Sequence, residues 1–362
     1  MDHSGRQQRL QAALAESNLD ALLVTHLPNI RYLCGFTGSA GALLMGQREA
    51  IFFTDGRYVT QARSEVSAGR IVIARKSPAL AAVEFLAASL IRSTTRLGLD
   101  PHSVTLSQRE QLRAILKRNW KLISAPPLVE QARMIKDKDE IRRIRAAVQL
   151  GASLFQVARK KIRPGVKEVE IAAAMEYSAR QAGAEGMSFS TIIAAGKRSA
   201  VVHGRASEAR IPRRGFVVCD FGVILAGYCS DRTRTVHVGS PAGDARRMYQ
   251  AVLEAQQAAI AQVRSGVTAD SVDAAARKVL KKHGLAQYFS HSTGHGLGLE
   301  IHEAPRLASA HSQVLQPGMV ITIEPGAYVP GKQGVRIEDV VVVTATGCEV
   351  LTPTDKELII IR

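Results

Sequence analysis

The apolar residues of the first 125 positions fall into short runs that have the length of β-strands. Between these runs, apolar residues recur every three or four positions, as they do on one face of an α-helix. The predicted strands are residues 19–25, 40–45, 50–54, 70–74, 96–99 and 121–125, and the predicted helices are residues 58–66, 79–93 and 107–117. Alternating strands and helices predict an α/β domain.

A proline pair, Pro126-Pro127, ends this alternation, and the pattern changes after it. The later part has helical patterns at residues 137–162, 167–181, 245–263 and 269–283, and strand-like runs at residues 190–195, 216–221, 233–238, 319–323 and 335–344. Strands grouped in this way are typical of an α+β domain with antiparallel pairing. We therefore predict two domains, residues 1–126 and 127–362.

Four carboxylates lie within or at the end of strand-forming segments in the second domain. Asp220 and Asp231 flank a predicted turn at residues 222–227, so we expect them on neighbouring strands of a hairpin. Glu324 ends the run MVITI, and Glu338 lies within VRIEDVVVV. One such acid is often a salt-bridged residue of an edge strand, but four buried negative charges require a divalent cation.

A glycine-rich segment, residues 291–305, contains three histidines within twelve positions. His291 and His295 have the spacing of a helical HExxH zinc site. The glycines at positions 294, 296 and 298 disfavour a helix, which excludes that type of site. They indicate an extended backbone that another part of the molecule approaches closely. We expect one imidazole ligand from this segment.

One imidazole and four carboxylates form an oxygen-rich ligand set. Such a set favours Mn²⁺ and, less strongly, Co²⁺, Fe²⁺ or Zn²⁺. Five protein ligands are too many for a single ion that keeps an open coordination position. We therefore predict two divalent ions that share bridging carboxylates, with a bridging hydroxide as the nucleophile.

Several motifs resemble those of the pita-bread metallopeptidases, which include methionine aminopeptidase, aminopeptidase P and prolidase. GHGLGLEIHE (294–303) and VRIED (335–339) resemble motifs of the proline-specific branch. YLCGFTGSAG (32–41) and FFTDGRY (52–58) resemble the creatinase-like domain that precedes the catalytic domain in that branch. The resemblance implies an α/β creatinase-like N-terminal domain followed by an α+β pita-bread catalytic domain.

The ligand order of that family, Asp, Asp, His, Glu, Glu, is present in this chain. The resemblance implies that Asp220 chelates one ion and that His295 and Glu324 hold the other. Asp231 and Glu338 would bridge both ions.

The same resemblance implies roles in catalysis and substrate binding. His203 and His302 would contact the substrate and assist the tetrahedral intermediate, and Glu324 would join them in catalysis. His291 would line the pocket for the proline ring, and Arg336 would support the site electrostatically and contribute to substrate binding.

The implied function is that of a Xaa-Pro aminopeptidase, which removes the residue before proline from peptide N-termini. A prolidase confined to Xaa-Pro dipeptides is an alternative, and a non-catalytic pita-bread module that binds a partner is another. The complete ligand set disfavours the binding module. The separate N-terminal domain disfavours methionine aminopeptidase. The resemblance also implies a homodimer.

The formal net charge of +16 raises the alternative of a nucleic-acid or membrane-surface partner. The basic residues form scattered short clusters, such as Lys160-Lys161, Arg213-Arg214 and Arg246-Arg247, without a basic tail or interleaved aromatic residues. We therefore expect proline-containing peptides as partners, and neither nucleic acid nor a membrane. The four cysteines have no CxxC spacing, and no signal-peptide pattern is present, so we expect a cytoplasmic enzyme.

Overall fold

The computed structural model of the chain describes residues 1–88, 95–352 and 355–362. These residues form two compact units, Met1–Arg133 and Met134–Arg362. Within the described ranges, no helix is both long enough and apolar enough to cross a membrane.

The first unit is built on one mixed six-stranded sheet. Its strands are β1 (Ala21–Val24), β2 (Ala42–Gly46), β3 (Ala50–Asp55), β4 (Arg70–Ala74), β5 (Thr95–Leu99) and β6 (Trp120–Ser124), in the spatial order β4-β3-β2-β1-β5-β6. The pairs β1–β2 and β2–β3 are antiparallel, whereas β3–β4, β1–β5 and β5–β6 are parallel. All six predicted strands are confirmed.

The helices of the first unit are α1 (His3–Glu16), α2 (Leu27–Cys34), α3 (Val59–Glu65), α4 (Pro78–Ala88), α5 (Leu106–Ile115) and α6 (Leu128–Met134), the last of which ends one residue into the second unit. The predicted helices at 58–66 and 107–117 are confirmed. The helix predicted at 79–93 is confirmed as far as Ala88, and its remaining residues lie outside the described ranges.

Helix α6 extends the first unit past the predicted boundary at residue 126. Arg133 donates a hydrogen bond of 2.6 Å to Asn29 of α2, and Asn29 in turn donates to Glu130. These polar contacts, together with the buried side chain of Val129, join α6 to the first unit. The proline pair therefore precedes the last helix of this unit.

The second unit combines long helices with small sheets. Its helices are α7 (Lys138–Lys161), α8 (Glu168–Gln181), α9 (Gly243–Gln262) and α10 (Ala269–Lys282), and all four predicted helices are confirmed within two residues. Its strands are β7 (Gly186–Met187), β8 (Ile192–Ala195), β9 (Gly215–Asp220), β10 (Val223–Leu225), β11 (Tyr228–Cys229), β12 (Thr233–Val238), β13 (Gly294–Gly296), β14 (Glu303–Leu307), β15 (Val320–Ile323), β16 (Gly326–Val329), β17 (Gln333–Arg336), β18 (Asp339–Val343), β19 (Cys348–Val350) and β20 (Ile360–Ile361).

Two of these sheets carry the residues of interest. One has the strand order β20-β12-β9-β8 and the other β14-β13-β15-β18-β19. Neighbouring strands are antiparallel, as predicted, except for the parallel pair β12–β20. The first sheet packs against α7 and α8 through apolar side chains such as Phe155, Ile171 and Val217. The second packs against α9 and α10 through Val272 and Ile321, among others.

Two predicted strand patterns differ from the structure. Residues 335–344 were predicted as one strand, but they form β17 and β18, which belong to different sheets and are separated by Ile337 and Glu338. Residues 217–235 were predicted as one hairpin. Strands β9 and β12 do pair, but the intervening β10 and β11 form a second hairpin that joins β7 in another sheet. In both places the chain leaves one sheet for another, and apolar periodicity carries no signal for such a change.

Helix α7 begins with a capping box that supplies a test of the fold. Asp137 Oδ1 accepts a hydrogen bond from the Glu140 amide at 2.9 Å, and Glu140 Oε2 accepts one from the Asp137 amide at 3.0 Å. Replacing Asp137 with Ala leaves a first-turn amide without its acceptor, which we expect to cost about 1 kcal/mol. Urea unfolding should show a lower midpoint. The control Asp244→Ala, in the first turn of α9 but capping no amide, should change it much less; equal shifts would contradict the prediction.

Candidate metal centre

The five predicted metal ligands lie at or near strand ends in the second unit. Asp220 is the last residue of β9, and Asp231 lies two residues before β12. His295 is the central residue of the short β13, Glu324 directly follows β15, and Glu338 lies between β17 and β18. At such positions the regular ladder of backbone hydrogen bonds stops, so side chains from different sheets are able to meet.

The structure brings these side chains together. One ligand atom each from Asp231, His295 and Glu338 lie within 4.8 Å of one another. His295 Nε2 is 3.5 Å from Asp231 Oδ2 and 3.4 Å from Glu324 Oε1. Asp220 lies opposite Thr233, near the start of β12, and its side chain is bound by Arg336.

Two buried carboxylate oxygens in this cluster have no hydrogen-bond donor among the described residues. They are Asp231 Oδ1 and Glu338 Oε1. The other oxygen of Glu338 accepts a bond of 2.8 Å from Thr233 Oγ1. A buried carboxylate oxygen without a donor is costly, and a cation would satisfy both of these. The donor set therefore fits a divalent metal.

His295 has the hydrogen-bonding pattern of a metal-binding imidazole. Its Nδ1 lies 3.0 Å from the carbonyl oxygen of Gly296, to which an Nδ1–H group donates. This bond leaves the lone pair on Nε2, the atom nearest to Asp231 and Glu324. An outer hydrogen bond of this kind commonly fixes the tautomer of a histidine that binds a metal.

The pKa shifts reflect crowding of negative charge. Burial raises the pKa of Asp231 and holds that of Glu338 well above its usual range, and neighbouring carboxylates raise both further. Burial raises the pKa of Glu324 to about 7, although the charge of His295 opposes the shift. Burial lowers the pKa of His295, but the hydrogen bond to Asp231 and the charge of Glu324 outweigh it and bring the value to about 9. Crowded buried carboxylates of this kind are stabilised either by protons or by a bound cation.

The glycines beside His295 are required by close backbone packing. A Cβ atom on Gly294 would lie 1.9 Å from the carbonyl oxygen of Thr322, and one on Gly296 would lie 2.2 Å from that of Ala304. The segment is extended, not helical, as predicted. His295 is therefore held on a strand that fits tightly between β14 and β15.

The three histidines that were assigned to the substrate lie in different environments. His291 Nε2 is 2.9 Å from Tyr328 Oη, and its Nδ1 is 2.8 Å from the Ser292 carbonyl oxygen. Burial lowers the pKa of His291 to about 3, so this imidazole is neutral at physiological pH. His302 is exposed, and its ring centroid lies 4.4 Å from that of His295. His203 is an exposed loop residue.

His203 is electrostatically coupled to both other histidines. Burial lowers the pKa of His302, and the charges of His295 and His203 lower it further. His203 is also among the residues that lower the pKa of His291, after burial and Arg336. His203 therefore lies near both His302 and His291, and His302 lies against His295.

Arg336 is buried and directs its guanidinium at other protein groups. It donates to Tyr328 Oη at 2.6 Å, to Thr233 Oγ1 at 3.1 Å and to Asp220 Oδ2. Since Tyr328 Oη also contacts His291, Arg336 connects a predicted metal ligand with the predicted substrate pocket. Tyr328 and Thr233 were not singled out from the sequence.

Arg306 is a further residue that the sequence analysis did not identify. The β13–β14 register pairs it with His295, so the two side chains lie on the same face of the sheet. Arg306 is exposed, and its side chain forms no hydrogen bond or ion pair within the described part of the chain. The proximity of Arg306 to His295 follows from the pairing of two strands, and no local sequence pattern predicts it.

The close packing at Gly294 leads to a test of the site. Gly294→Ala places a methyl group against the Thr322 carbonyl, so β13 must move and carry His295 with it. We expect a loss of bound metal and roughly a hundredfold lower turnover, since small displacements at a reacting centre have effects of that order. Gly347→Ala is the control, because nothing lies within 4 Å of its added Cβ. Normal metal content in Gly294→Ala, measured by elemental analysis, would contradict the prediction.

Comparison with known proteins agrees with this geometry. Residues 142–345 match the model of metallopeptidase family M24, and residues 6–135 match the creatinase/prolidase N-terminal domain. The structure of a Xaa-Pro dipeptidase from Bacillus anthracis has 40% sequence identity and a TM-score of 0.93, and the match covers 99% of both chains.

Two further relatives extend the comparison. A Xaa-Pro dipeptidase of Pyrococcus horikoshii is 36% identical over 346 residues, 95% of each chain. The structure of an X-Pro aminopeptidase from Thermotoga maritima has 34% identity and a TM-score of 0.89, covering 97% of this chain and 100% of that one. The expected creatinase-like and pita-bread architecture is thereby confirmed. The chain belongs to metallopeptidase family M24, a family of metal-dependent peptidases, and carries a creatinase/prolidase N-terminal domain.

Proposed function

We propose that the chain hydrolyses the bond between an N-terminal residue and proline, and that Xaa-Pro dipeptides are its preferred substrates. The observation that carries the dipeptide preference is Arg306, an exposed cation that lies on the same sheet face as His295 and has no hydrogen-bond or ion-pair partner in residues 1–88, 95–352 and 355–362. Two of the relatives described above bear the name Xaa-Pro dipeptidase, which supports the same substrate.

A dipeptide differs from a longer substrate in the free carboxylate on its proline. Recognition of that group requires a cation within one residue of the scissile bond. Arginine is well suited, because its guanidinium binds a carboxylate through two parallel hydrogen bonds. Directly opposed residues on paired strands have Cβ atoms about 5 Å apart, so Arg306 is in reach of a substrate bound at His295.

The sequence analysis favoured an aminopeptidase, and this is the second candidate. It is supported by the Thermotoga maritima relative, which is named X-Pro aminopeptidase. An aminopeptidase must let the chain continue beyond proline and gains nothing from a carboxylate-binding arginine. The homodimer and the cytoplasmic location also stay predictions of the sequence.

We propose that two divalent ions, Mn²⁺ in preference to Co²⁺, Fe²⁺ or Zn²⁺, are held by the five predicted ligands, Asp220, Asp231, His295, Glu324 and Glu338. The donor-free oxygens of Asp231 and Glu338 support bridging positions for these two residues. When bound, the ions would lower the pKa of the attacking water and polarise the scissile carbonyl.

The remaining steps are assigned to side chains. Glu324 Oε1 faces His295, so Oε2 is the oxygen that takes a proton from the attacking water and delivers it to the proline nitrogen. His302 and His203 donate hydrogen bonds to the oxyanion that develops on the carbonyl. His291 is neutral and packs against the apolar proline ring without the cost of desolvating a charge. Arg336 contributes by holding Asp220 and Tyr328.

Metal binding is expected to release protons and to weaken as the pH falls. The raised pKa values of Asp231, Glu324 and Glu338 mean that these groups retain protons to higher pH, and His295 retains one up to about pH 9. A metal must displace these protons. Mn²⁺ affinity, measured by titration calorimetry in buffers of different ionisation enthalpy, should therefore decrease from about pH 9 to about pH 6.

Variants of the proposed bridging residues complete this test. Asp231→Asn and Glu338→Gln should bind fewer ions per chain, whereas Glu349→Gln, which alters an exposed ion pair with Arg145, should not. Metal affinity independent of pH, or full stoichiometry in both bridging variants, would argue against the proposed site.

The substrate preference is tested with a Xaa-Pro dipeptide and the matching Xaa-Pro-Yaa tripeptide. We expect Arg306→Gln to lower kcat/KM for the dipeptide roughly tenfold to a hundredfold, because that is the range for a lost hydrogen bond to a charged group. The value of kcat/KM for the tripeptide should change little. Arg247→Gln, which alters another exposed arginine, is the control.

The other outcomes distinguish the alternatives. If the wild type prefers the tripeptide and Arg306→Gln leaves kcat/KM for both peptides unchanged, the protein is an aminopeptidase. No cleavage of either peptide in the presence of Mn²⁺, Co²⁺ or Zn²⁺ would favour the binding module.

A further inference from the structure

We propose that Asp273 and Arg277, two residues of α10 outside the metal cluster, are positioning residues that hold His291 at the substrate pocket. They act on the backbone of residues 289–293, which we call the histidine loop. The consequence for substrate binding rests on the proposed function of His291, but the contacts themselves do not.

Arg277 binds the histidine loop at two carbonyl groups. Its Nη1 donates to the Phe289 carbonyl at 3.1 Å, and its Nη2 donates to the His291 carbonyl at 2.6 Å. The guanidinium carbon also lies 4.3 Å from the centroid of the Phe289 ring, a cation–π contact. One planar side chain thus fixes two carbonyls of the loop and one of its rings.

Asp273 binds the same loop at Thr293, two residues after His291 in the chain. It is 1% exposed, and its Oδ2 accepts from Arg277 Nε at 2.6 Å. Its Oδ1 accepts from the amide of Thr293 at 3.2 Å and from the Thr293 hydroxyl at 2.8 Å. Since positions four residues apart share one face of a helix, α10 presents both side chains to the loop together.

The backbone contacts determine where the His291 ring points. With the chain fixed at residues 289, 291 and 293, Nε2 of the ring lies 2.9 Å from Tyr328 Oη. The ring is thus held by Tyr328 on one side and, through its backbone, by α10 on the other. The Thr293 carbonyl also accepts from the Glu324 amide at 2.7 Å, which ties the end of the loop to β15.

The cost of this arrangement argues for a role beyond packing. The neighbouring positions of α10, Val272, Ala276 and Leu280, are fully buried in the apolar core. The Asp273 carboxylate loses its hydration in such surroundings, whereas the Arg277 side chain stays 35% exposed, so the loss falls on the buried acid. Within the described part of the chain, the side-chain bonds of Asp273 and Arg277, apart from their mutual pair, all go to the histidine loop.

Arg277→Lys is the mildest test, because lysine keeps the charge beside Asp273 but lacks the planar fork that reaches both carbonyls. We expect KM for a Xaa-Pro dipeptide to rise roughly tenfold, with kcat changed less than about threefold and metal content unchanged. Asp273→Asn should act in the same direction. Lys278→Met, an exposed neighbour on α10, is the matched control and should leave KM unchanged.

A readout independent of catalysis separates this proposal from the proposed function. The ¹⁵N chemical shifts of the His291 ring, assigned with a His291→Gln variant, report the contact with Tyr328. We expect them to change in Arg277→Lys and to stay constant in Lys278→Met. Altered shifts together with no Xaa-Pro cleavage by the wild type would support the positioning role while refuting the function. Unaltered shifts, or a loss of metal that accompanies the rise in KM, would overturn the positioning role.

Discussion

The cost of burying Asp231, Glu324 and Glu338 side by side governs the arrangement of the second unit. Burial raises the pKa of all three, and repulsion from neighbouring carboxylates, with Asp220 among them in each case, adds to the shift. Arg336, a buried permanent cation, binds Asp220 instead of these three acids. Among the described residues, the side-chain partners of the three acids are His295, Thr233 and Thr322. Such a cluster is tolerable only when protons or metal ions occupy it.

Glu338 and its neighbour Asp339 show how the fold separates the proposed metal-binding acid from a structural one. Asp339 accepts hydrogen bonds from Arg234 at 2.8 Å, Gln256 at 2.9 Å and Lys356 at 2.8 Å. The Glu338 carboxylate has a single donor in the described chain, Thr233, and its other oxygen is buried with none. Adjacent carboxylates with equal burial thus differ in whether the protein completes their hydrogen bonds. A cation would complete the partners of Glu338, whereas Asp339 already has three donors.

Much of this could be predicted from the sequence, because its signals are local. Apolar periodicity located the predicted strands and the long helices, and the glycines around His295 indicated an extended, crowded backbone. The break between β17 and β18 was missed, since Ile337 and Glu338 interrupt no apolar pattern. Arg306 and the pair Asp273–Arg277 were missed because their importance depends on contacts with residues outside their own strand or helix. Local patterns therefore suggest candidate ligands more readily than the residues that would orient them.

The chemistry of proline explains why orientation matters here. The nitrogen of a Xaa-Pro bond carries no hydrogen, so a peptidase cannot align this bond through an N–H donor. Alignment must come from the ring and from the two ends of the substrate. In the proposed site, His291 contacts the ring and Arg306 binds the carboxylate, and both belong to the chain segment that also carries His295. A shift of that segment would displace the substrate and the metal together, which is why glycines, Thr322 and α10 all restrain it.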